Sequence, residues 1–185
     1  MMTENTDTPE LLGALECLLF MADRPLSLAE FAELLNISIP AVRQLLETLE
    51  GRYVGLRIAE IAGGYELITK PIYADYLARL HKPLHVRLSP AALETLAIVA
   101  YRQPVTRPEI EMLRGVNSSG VVATLLDHEL ICERGHKFAP GKPVLYGTTD
   151  RFLKLFGLAS VDTLPDITTF AEQSRAAMEG FTTEE

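Results

Sequence analysis

The sequence predicts an α+β fold, mainly α, built from two tandem winged helix domains. Its first support is an internal repeat, because residues 20–50 and 99–129 carry the same pattern at a spacing of 79. That spacing exceeds the roughly 20 to 50 residues of solenoid repeats, so each copy is expected to have its own core. The matched pairs are Pro25 and Pro104, Ser27 and Thr106, Glu30 and Glu109, Leu34 and Leu113, Ile37 and Val116, Val42 and Val121, Leu46 and Leu125, and Glu50 and Glu129.

The second support is the order of elements within each copy, which is three helices followed by a β-hairpin. In the first copy, Thr8 and Pro9 are typical of an N-cap and a first-turn proline, and they predict where the first helix begins. A capping box between Ser27 and Glu30 predicts a short second helix that ends near Asn36.

The third helix and the hairpin of the first copy follow directly. Ser38 is expected to cap this helix, apolar side chains then recur at helical spacing, and Gly51 is expected to end it. Two extended runs come next, and the Gly-Gly pair between them predicts a tight turn. The runs are residues 56–62 and 65–70, joined by Gly63 and Gly64.

The second copy repeats this order with the same kinds of signal, and its wing loop is longer. The signals are Ser89 and Pro90 for a helix through Arg102, a capping box of Thr106 and Glu109 for the next helix, Asn117 as the cap of a helix to about His128, and wing strands at 130–133 and 144–146 around a loop at 134–143.

The remaining segments set the predicted boundaries. Residues 1–8 are polar and are expected to be flexible, and a short amphipathic helix at 71–80 closes the first domain. Large apolar side chains become sparse towards the end of the chain, which predicts a mobile tail. The predicted divisions are 1–8 for the N-terminus, 9–80 for the first domain, 81–87 for a linker that contains Pro83, 88–160 for the second domain with a last helix around Phe152 and Phe156, and 161–185 for the tail.

Composition restricts the classes of function. Hydrophobic residues make up 48% of the chain, which is enough for two cores, and the net charge of −8 disfavours nucleic acid as the main partner. The apolar stretch at residues 11–22 contains Glu16 and is shorter than the ~20 residues that cross a bilayer. It also lacks the features of a signal peptide, so we expect a cytoplasmic protein.

The surfaces that a winged helix uses on DNA are poorly suited to it here. The third helix of the first copy sets Arg43 against Glu47 and Glu50, and that of the second copy has no Lys or Arg. The second wing offers the best basic cluster, which could touch a DNA backbone nonspecifically or could be a solvated loop. Its members are Arg134, His136, Lys137 and Lys142.

Signals for catalysis are missing from the sequence. No Gly-rich phosphate loop is present, the two Cys residues lack CxxC spacing, and the four His residues lack the spacing of a metal site. Ser118 and Ser119 lie outside a G-x-S-x-G elbow and are better explained as helix caps. We therefore expect no enzyme, no catalytic residue, no cofactor and no metal.

Protein recognition is the remaining class. In the second copy the first helix runs into Tyr101, Arg102 and Gln103, and interfaces favour Tyr and Arg. Tyr101 could equally seal the helix end against the core. The same two interpretations apply to Tyr146 at the end of a wing strand and to Arg114 in the turn before the third helix.

Several stretches carry a family resemblance. Residues 88–126, LSPAALETLAIVAYRQPVTRPEIEMLRGVNSSGVVATLL, and the run GKPVLYGTTDRFLKLFG at 141–157 closely resemble segregation and condensation protein B, the bacterial ScpB family. The N-terminal half matches more loosely through LLGALECLLFMADRPLS and GGYELITKP, and the resemblance spans about residues 10 to 165. Lys142 and His136 stand where many members of the family are expected to have Arg.

The resemblance implies a non-enzymatic subunit of the Smc–ScpA–ScpB condensin-like complex, acting in chromosome condensation and partition during cell division. Members of this family form homodimers through their N-terminal domains and bind the kleisin ScpA, which bridges to the Smc ATPase. By analogy, the first domain would serve dimerisation, the second would dock the kleisin, and the protein would associate with the nucleoid through the complex. The alternative is a winged helix protein that binds DNA or regulates transcription.

The resemblance also suggests positions for these contacts. Kleisin contacts would lie at Tyr101, Arg102, Gln103, Arg114, Val116 and Tyr146, and dimer contacts at Leu11, Leu15 and Tyr73.

Overall fold

The computed structural model describes residues 9–80, the first domain, and residues 88–166, the second domain. The first domain consists of α1 (Pro9–Met21), α2 (Leu28–Leu35), α3 (Ile39–Glu50), β1 (Leu56–Ile61), β2 (Gly64–Thr69), a 3-10 turn (Pro71–Tyr73) and α4 (Ala74–Leu80). The second domain consists of α5 (Pro90–Arg102), β3 (Val105–Thr106), α6 (Arg107–Arg114), α7 (Ser119–Asp127), β4 (Ile131–His136), β5 (Val144–Thr148), α8 (Asp150–Phe156) and a 3-10 turn (Val161–Thr163).

The architecture confirms the predicted mixed fold of two winged helix domains. In each domain three helices precede an antiparallel hairpin, which is the order that the sequence predicts. The second helices, α2 and α6, are both eight residues long, and they begin 79 positions apart, at residues 28 and 107.

Both predicted capping boxes are present. The backbone N–H groups of Ser27 and Thr106 each donate to a Glu carboxylate three residues later, at 2.8 Å in both domains. The glutamates are Glu30 and Glu109. Because these bonds satisfy donors that a helix end otherwise leaves unpaired, both short helices have a defined start.

A strand pairing that the sequence does not reveal ties the helices to the hairpin in each domain. Leu26 and Tyr65 exchange two backbone hydrogen bonds of 3.1 and 2.7 Å. In the second domain β3 pairs with β5, with Val105 opposite Tyr146. A pairing of one or two residues is too short to show the alternation by which strands are recognised, so periodicity could not predict it.

The first hairpin turns one residue earlier than the sequence suggests. Ala62 and Gly63 form the turn with φ values of 50° and 74°, and Gly64 already belongs to β2, opposite Ile61. Two consecutive residues with positive φ are typical of the tight turns that match the twist of a hairpin. Gly64 is instead required by packing, because a Cβ there would lie 2.8 Å from the Pro25 carbonyl carbon.

Three boundaries in the second domain differ from prediction. Ser118, not Asn117, occupies the N-cap position of α7, and Asn117 Oδ1 accepts the Ser119 N–H at 3.1 Å from just outside the helix. The strand β4 runs on to His136 through a bulge, and β5 continues to Thr148. The strands are longer than their apolar cores because backbone pairing extends into polar sequence.

Each domain has its own buried core, as the repeat predicts. In the first domain Leu15 and Phe31 are fully buried, and in the second Ile110 and Leu125 are. The two domains also touch, because Ala62 packs against the second core and its N–H donates to Leu158 O at 3.0 Å.

Some predicted segments lie partly or wholly outside the described residues. The N-terminus at 1–8 with its Thr8 cap, the linker at 81–87 and the tail from 167 onwards lie outside the described residues. Residues 161–166, predicted to belong to the mobile tail, include Val161 and Leu164, which pack against the second core. The second domain therefore continues past residue 160.

The close approach at Gly64 predicts that Gly64→Ala destabilises the first domain by about 1 to 3 kcal/mol, because the backbone of Pro25 and Leu26 cannot move aside without breaking the pairing with Tyr65. The matched control is Gly13→Ala in α1, where a Cβ meets nothing within 4 Å. This control is expected to be neutral or to stabilise by up to about 1 kcal/mol. Urea unfolding followed by circular dichroism measures both, and equal free energies of unfolding for the two variants would contradict the packing argument.

Candidate protein-docking surfaces

The third helices bury their apolar faces in the cores, and their exposed faces carry few cationic side chains that could bind a phosphate backbone. Val42, Leu45 and Leu46 of α3 are buried, as are Val122 and Leu125 of α7. The exposed residues of α7 are small or acidic, and the helix contains neither Lys nor Arg. A recognition helix without cations releases no counterions on DNA, so this face is poorly suited to nucleic acid.

The second wing has fewer available cations than its sequence suggests. The Arg134 guanidinium donates to Thr148 O at 2.8 Å, and Lys137 Nζ lies 2.5 Å from a carboxylate oxygen of Glu109. His136 and Lys142 are exposed, which leaves nonspecific DNA contact as an alternative that depends on these two side chains. Between them on the wing, Phe138 is fully exposed.

One face of the second domain, formed by α5 and α6, presents apolar side chains next to a cation. We call this the α5–α6 surface. A recess of about 420 Å³ lies between the helices. Next to it α6 and the following turn expose large apolar side chains, which is unusual on a surface that has no partner. The residues of the α5–α6 surface are Glu94, Ala97, Ile98, Tyr101, Arg102, Met112, Leu113 and Val116.

Three of the six residues predicted to contact the kleisin lie on this surface. They are Tyr101, Arg102 and Val116. The ring of Tyr101 lines the recess, and its hydroxyl donates to Pro165 O at 2.8 Å. Met112 and Leu113 also belong to this surface, and the sequence analysis does not predict them as contacts. Both are exposed on α6, a helix in which most residues are polar or charged.

The other three predicted contacts are supports within the domain. The side chain of Arg114 is only 6% exposed and bridges Glu94 at 3.1 Å and Ser118 at 2.9 Å. Gln103 Oε1 accepts the Thr148 N–H at 2.7 Å. Tyr146 packs against the core. All three residues therefore make contacts within their own domain, and none of them is exposed.

Of the three predicted dimer contacts in the first domain, one is fully buried and two are partly buried. Leu15 is fully buried, Leu11 is partly buried against the core, and Tyr73 is half-buried beside Gly55. Leu15 therefore cannot contact a second subunit through the folded domain. Its position in the leucine stripe of α1 already indicates core, because such a stripe faces inwards on a helix of this kind.

A different part of the first domain exposes apolar side chains. The 3-10 turn and α4 contain no buried residue, yet Ile72, Tyr76 and Leu80 recur at a spacing of four and are each at least two-thirds exposed. We call these three residues the α4 stripe. Large apolar side chains on one face of a helix that buries nothing are typical of an interface. The end of α1 adds Phe20 and Met21 to the exposed apolar side chains of this domain.

The two capping glutamates are the most strongly perturbed acids in the described part of the chain. Hydrogen bonds from Arg24 and then Ser27 lower the pKa of Glu30 from 4.5 to about 2. Hydrogen bonds from Lys137 and then Thr106 lower the pKa of Glu109 from 4.5 to about 2. In both cases hydrogen-bond donors stabilise the charged carboxylate. Each glutamate has a structural role, because its carboxylate accepts the backbone N–H of the residue that caps its helix.

These shifts predict acid sensitivity. A folded pKa below the unfolded value stabilises the fold above about pH 4.5, and this contribution is lost as the pH falls towards about 2. The double variant Glu30→Gln, Glu109→Gln should be less stable near neutral pH and should lose less stability across this acid range, because Gln retains the capping geometry without titrating. Urea unfolding at several pH values tests this, and parallel pH profiles for wild type and variant would contradict it.

Across residues 9–80 and 88–166, no group of three or more His, Cys, Asp or Glu side chains is placed to hold a metal ion. No helix within the same ranges is long and apolar enough to cross a membrane.

Two winged helix domains with exposed apolar faces, and without a basic helix at the DNA-reading position, define a winged helix protein built for docking to other proteins. The family model described as "Segregation and condensation complex subunit ScpB" matches residues 13–167, and the chain belongs to this family. The segregation and condensation protein B of Moorella thermoacetica is 47% identical over 174 residues, which cover 90% of this chain and 89% of the relative.

Two solved structures of the family are also similar. ScpB from Mycobacterium tuberculosis is 36% identical and covers 80% of this chain and 96% of its own, with a TM-score of 0.38. A dimer of a ScpB N-terminal domain complexed with a ScpA peptide is 30% identical and covers 39% of this chain and 95% of its own, with a TM-score of 0.37.

Proposed function

We propose that this chain is a non-enzymatic adaptor of a Smc–ScpA–ScpB complex, which binds the kleisin ScpA as a homodimer and acts in chromosome condensation and partition. It would work in the cytoplasm, on the nucleoid, through that complex. Membership of the ScpB family supports the complex. The observation that supports an adaptor role most directly is the pair of separate apolar surfaces, one on each domain, which allows two different protein contacts at once.

We assign kleisin docking to the α5–α6 surface. Its exposed apolar side chains surround Tyr101 and Arg102, and such a mixture of aliphatic, aromatic and guanidinium groups is typical of binding hot spots. Arg114 stabilises this surface, because its bonds to Glu94 and Ser118 connect the end of α6 to α5 and to the start of α7. A helix or extended segment of the kleisin with apolar anchors and an acidic group near Arg102 would suit the surface.

We assign self-association to the first domain, at the α4 stripe in place of the buried Leu15. Ile72 of the 3-10 turn and Tyr76 and Leu80 of α4 recur every four residues, and a second copy that presents the same stripe would bury both by two-fold symmetry. For one relative, the ScpB N-terminal domain is a dimer in complex with a ScpA peptide. A first-domain variant is therefore also tested for kleisin binding.

The assignment predicts that Ile72→Asp combined with Tyr76→Asp produces a monomer. An unpaired charge inside an apolar interface costs several kcal/mol, so the dimer dissociation constant should rise at least about 100-fold. Sedimentation equilibrium measures this against the matched control Gln44→Asp, which places a charge on an exposed position of α3. A wild-type protein that is monomeric at micromolar concentration would contradict the proposed homodimer. A double variant that stays dimeric would exclude this interface.

For the second domain, Val116→Glu and Arg102→Ala should each weaken ScpA binding at least about tenfold and leave the oligomeric state unchanged. Isothermal titration calorimetry with a monovalent ScpA fragment avoids the avidity that a multivalent complex would add. The matched control is Ala123→Glu, at an exposed position of α7.

Unchanged affinity in Val116→Glu and Arg102→Ala would contradict docking at the α5–α6 surface. If affinity instead falls in the Ile72 and Tyr76 double variant alone, the kleisin site belongs to the first domain.

A further inference from the structure

The turn of the first hairpin is bonded to the second domain. The hydrogen bond of a β-turn uses the N–H of its fourth residue, so the N–H groups of the two central residues are left for other partners. Here the Ala62 N–H donates to Leu158 O at 3.0 Å, and the Gly63 N–H donates to Ala159 O at 2.9 Å. Two consecutive donors of one domain therefore meet two consecutive acceptors of the other. We call these four residues the turn contact.

Both sides of the turn contact are fixed within their own domains. On the acceptor side, the Leu158 N–H donates to Leu153 O at 2.9 Å at the end of α8, and the Leu158 side chain packs against the second core. On the donor side, Ile61 is buried, and Gly64 lies so close to Pro25 that a Cβ would not fit. The turn contact therefore joins two well-packed parts of the molecule.

The residue at the first position of the turn favours a role in this contact. Ala62 has a φ of 50°, a conformation that suits Gly, Asn or Asp in a tight hairpin turn and strains Ala. Such strain persists where the surroundings hold the residue in place. Ala62 packs against the second core, and a Gly there would relieve the backbone but lose that methyl contact. The Ala is thus better explained by the second domain than by the hairpin.

Beside the turn contact the two domains stand apart. A recess of about 390 Å³ separates Arg24 and Glu30 of the first domain from Arg151 and Lys154 of the second. Both arginines form ion pairs within their own domains, Arg24 with Glu30 and Arg151 with Glu129. Because small, polar interfaces between domains normally allow relative motion, the turn contact is the feature here that can fix the orientation.

We propose that the turn of the first hairpin is a clasp that holds the two domains in one orientation. The α4 stripe and the α5–α6 surface would then keep a fixed relative position, whichever partners they bind. Loss of the clasp should free the orientation without unfolding either domain, because each domain has its own core. Each hydrogen bond contributes a factor of about two to ten to the ratio of fixed to free molecules.

Amide hydrogen exchange, followed by NMR on the full-length protein, tests the clasp directly. The Ala62 and Gly63 amides should be protected in the wild type, although turn amides without a partner exchange rapidly. Ala62→Asp gives the Asp-Gly pair that hairpin turns prefer and sets a carboxylate against the second core. The protection of the Gly63 amide should fall at least about tenfold, while the amides paired between β1 and β2 keep theirs.

Two further variants separate the clasp from the hairpin. Ala62→Gly removes only the methyl group and the backbone strain, and it should also lower the protection of the Gly63 amide. The matched control is Lys142→Gly, which relieves a φ of 40° in the exposed second wing and should leave the Gly63 amide unchanged. Residual dipolar couplings should fit one alignment tensor for both domains in the wild type and two in Ala62→Asp.

The proposal is overturned if the Ala62 and Gly63 amides of the wild type exchange as fast as free turn amides, or if the wild-type couplings need two tensors. Equal protection in wild type and Ala62→Asp would also overturn it. If Ala62→Asp unfolds the first domain, Ala62→Gly decides, and unchanged protection of its Gly63 amide contradicts the clasp. Protection that rises with protein concentration would show that a second copy supplies the acceptors.

Discussion

Each domain depends on a short backbone pairing between the residue that precedes the N-cap of the second helix and the second strand of the wing. In the first domain this is Leu26 with Tyr65, and in the second it is Val105 with Tyr146. Because the paired residue lies next to the capping box, a single short contact fixes both the hairpin and the start of α2 or α6. Gly64 shows how tight this contact is, since only a residue without a Cβ can lie so close to Pro25.

This construction determines which surfaces are left for function. The third helices bury their apolar sides in the cores, and the outward side of α7 has no cation with which to hold DNA. In the second wing, Arg134 donates to Thr148 O across the hairpin, and Lys137 pairs with Glu109 of α6. Groups of exposed apolar side chains lie on α4 and on the α5–α6 surface, so the winged helix serves here as a scaffold for protein contacts.

The sequence predicts features that depend on neighbouring residues and misses those that depend on distant ones. Capping boxes and helix starts are local, and the structure confirms those at Ser27 and Thr106. The strand β3 is defined by its pairing with β5. The largely buried side chain of Arg114 forms an ion pair with Glu94, which lies twenty residues earlier in the sequence. Leu15 differs, because its place in the leucine stripe of α1 indicates a core position and only the family resemblance suggests it as a dimer contact.

The most direct test of the adaptor account is size-exclusion chromatography with light scattering on the wild-type protein, alone and mixed with the ScpA of the same cell. The account predicts the mass of a dimer for the protein alone and one stable peak that contains both proteins in the mixture. A monomer that elutes apart from ScpA would contradict it, and the apolar side chains of α4 and of the α5–α6 surface would then need another explanation.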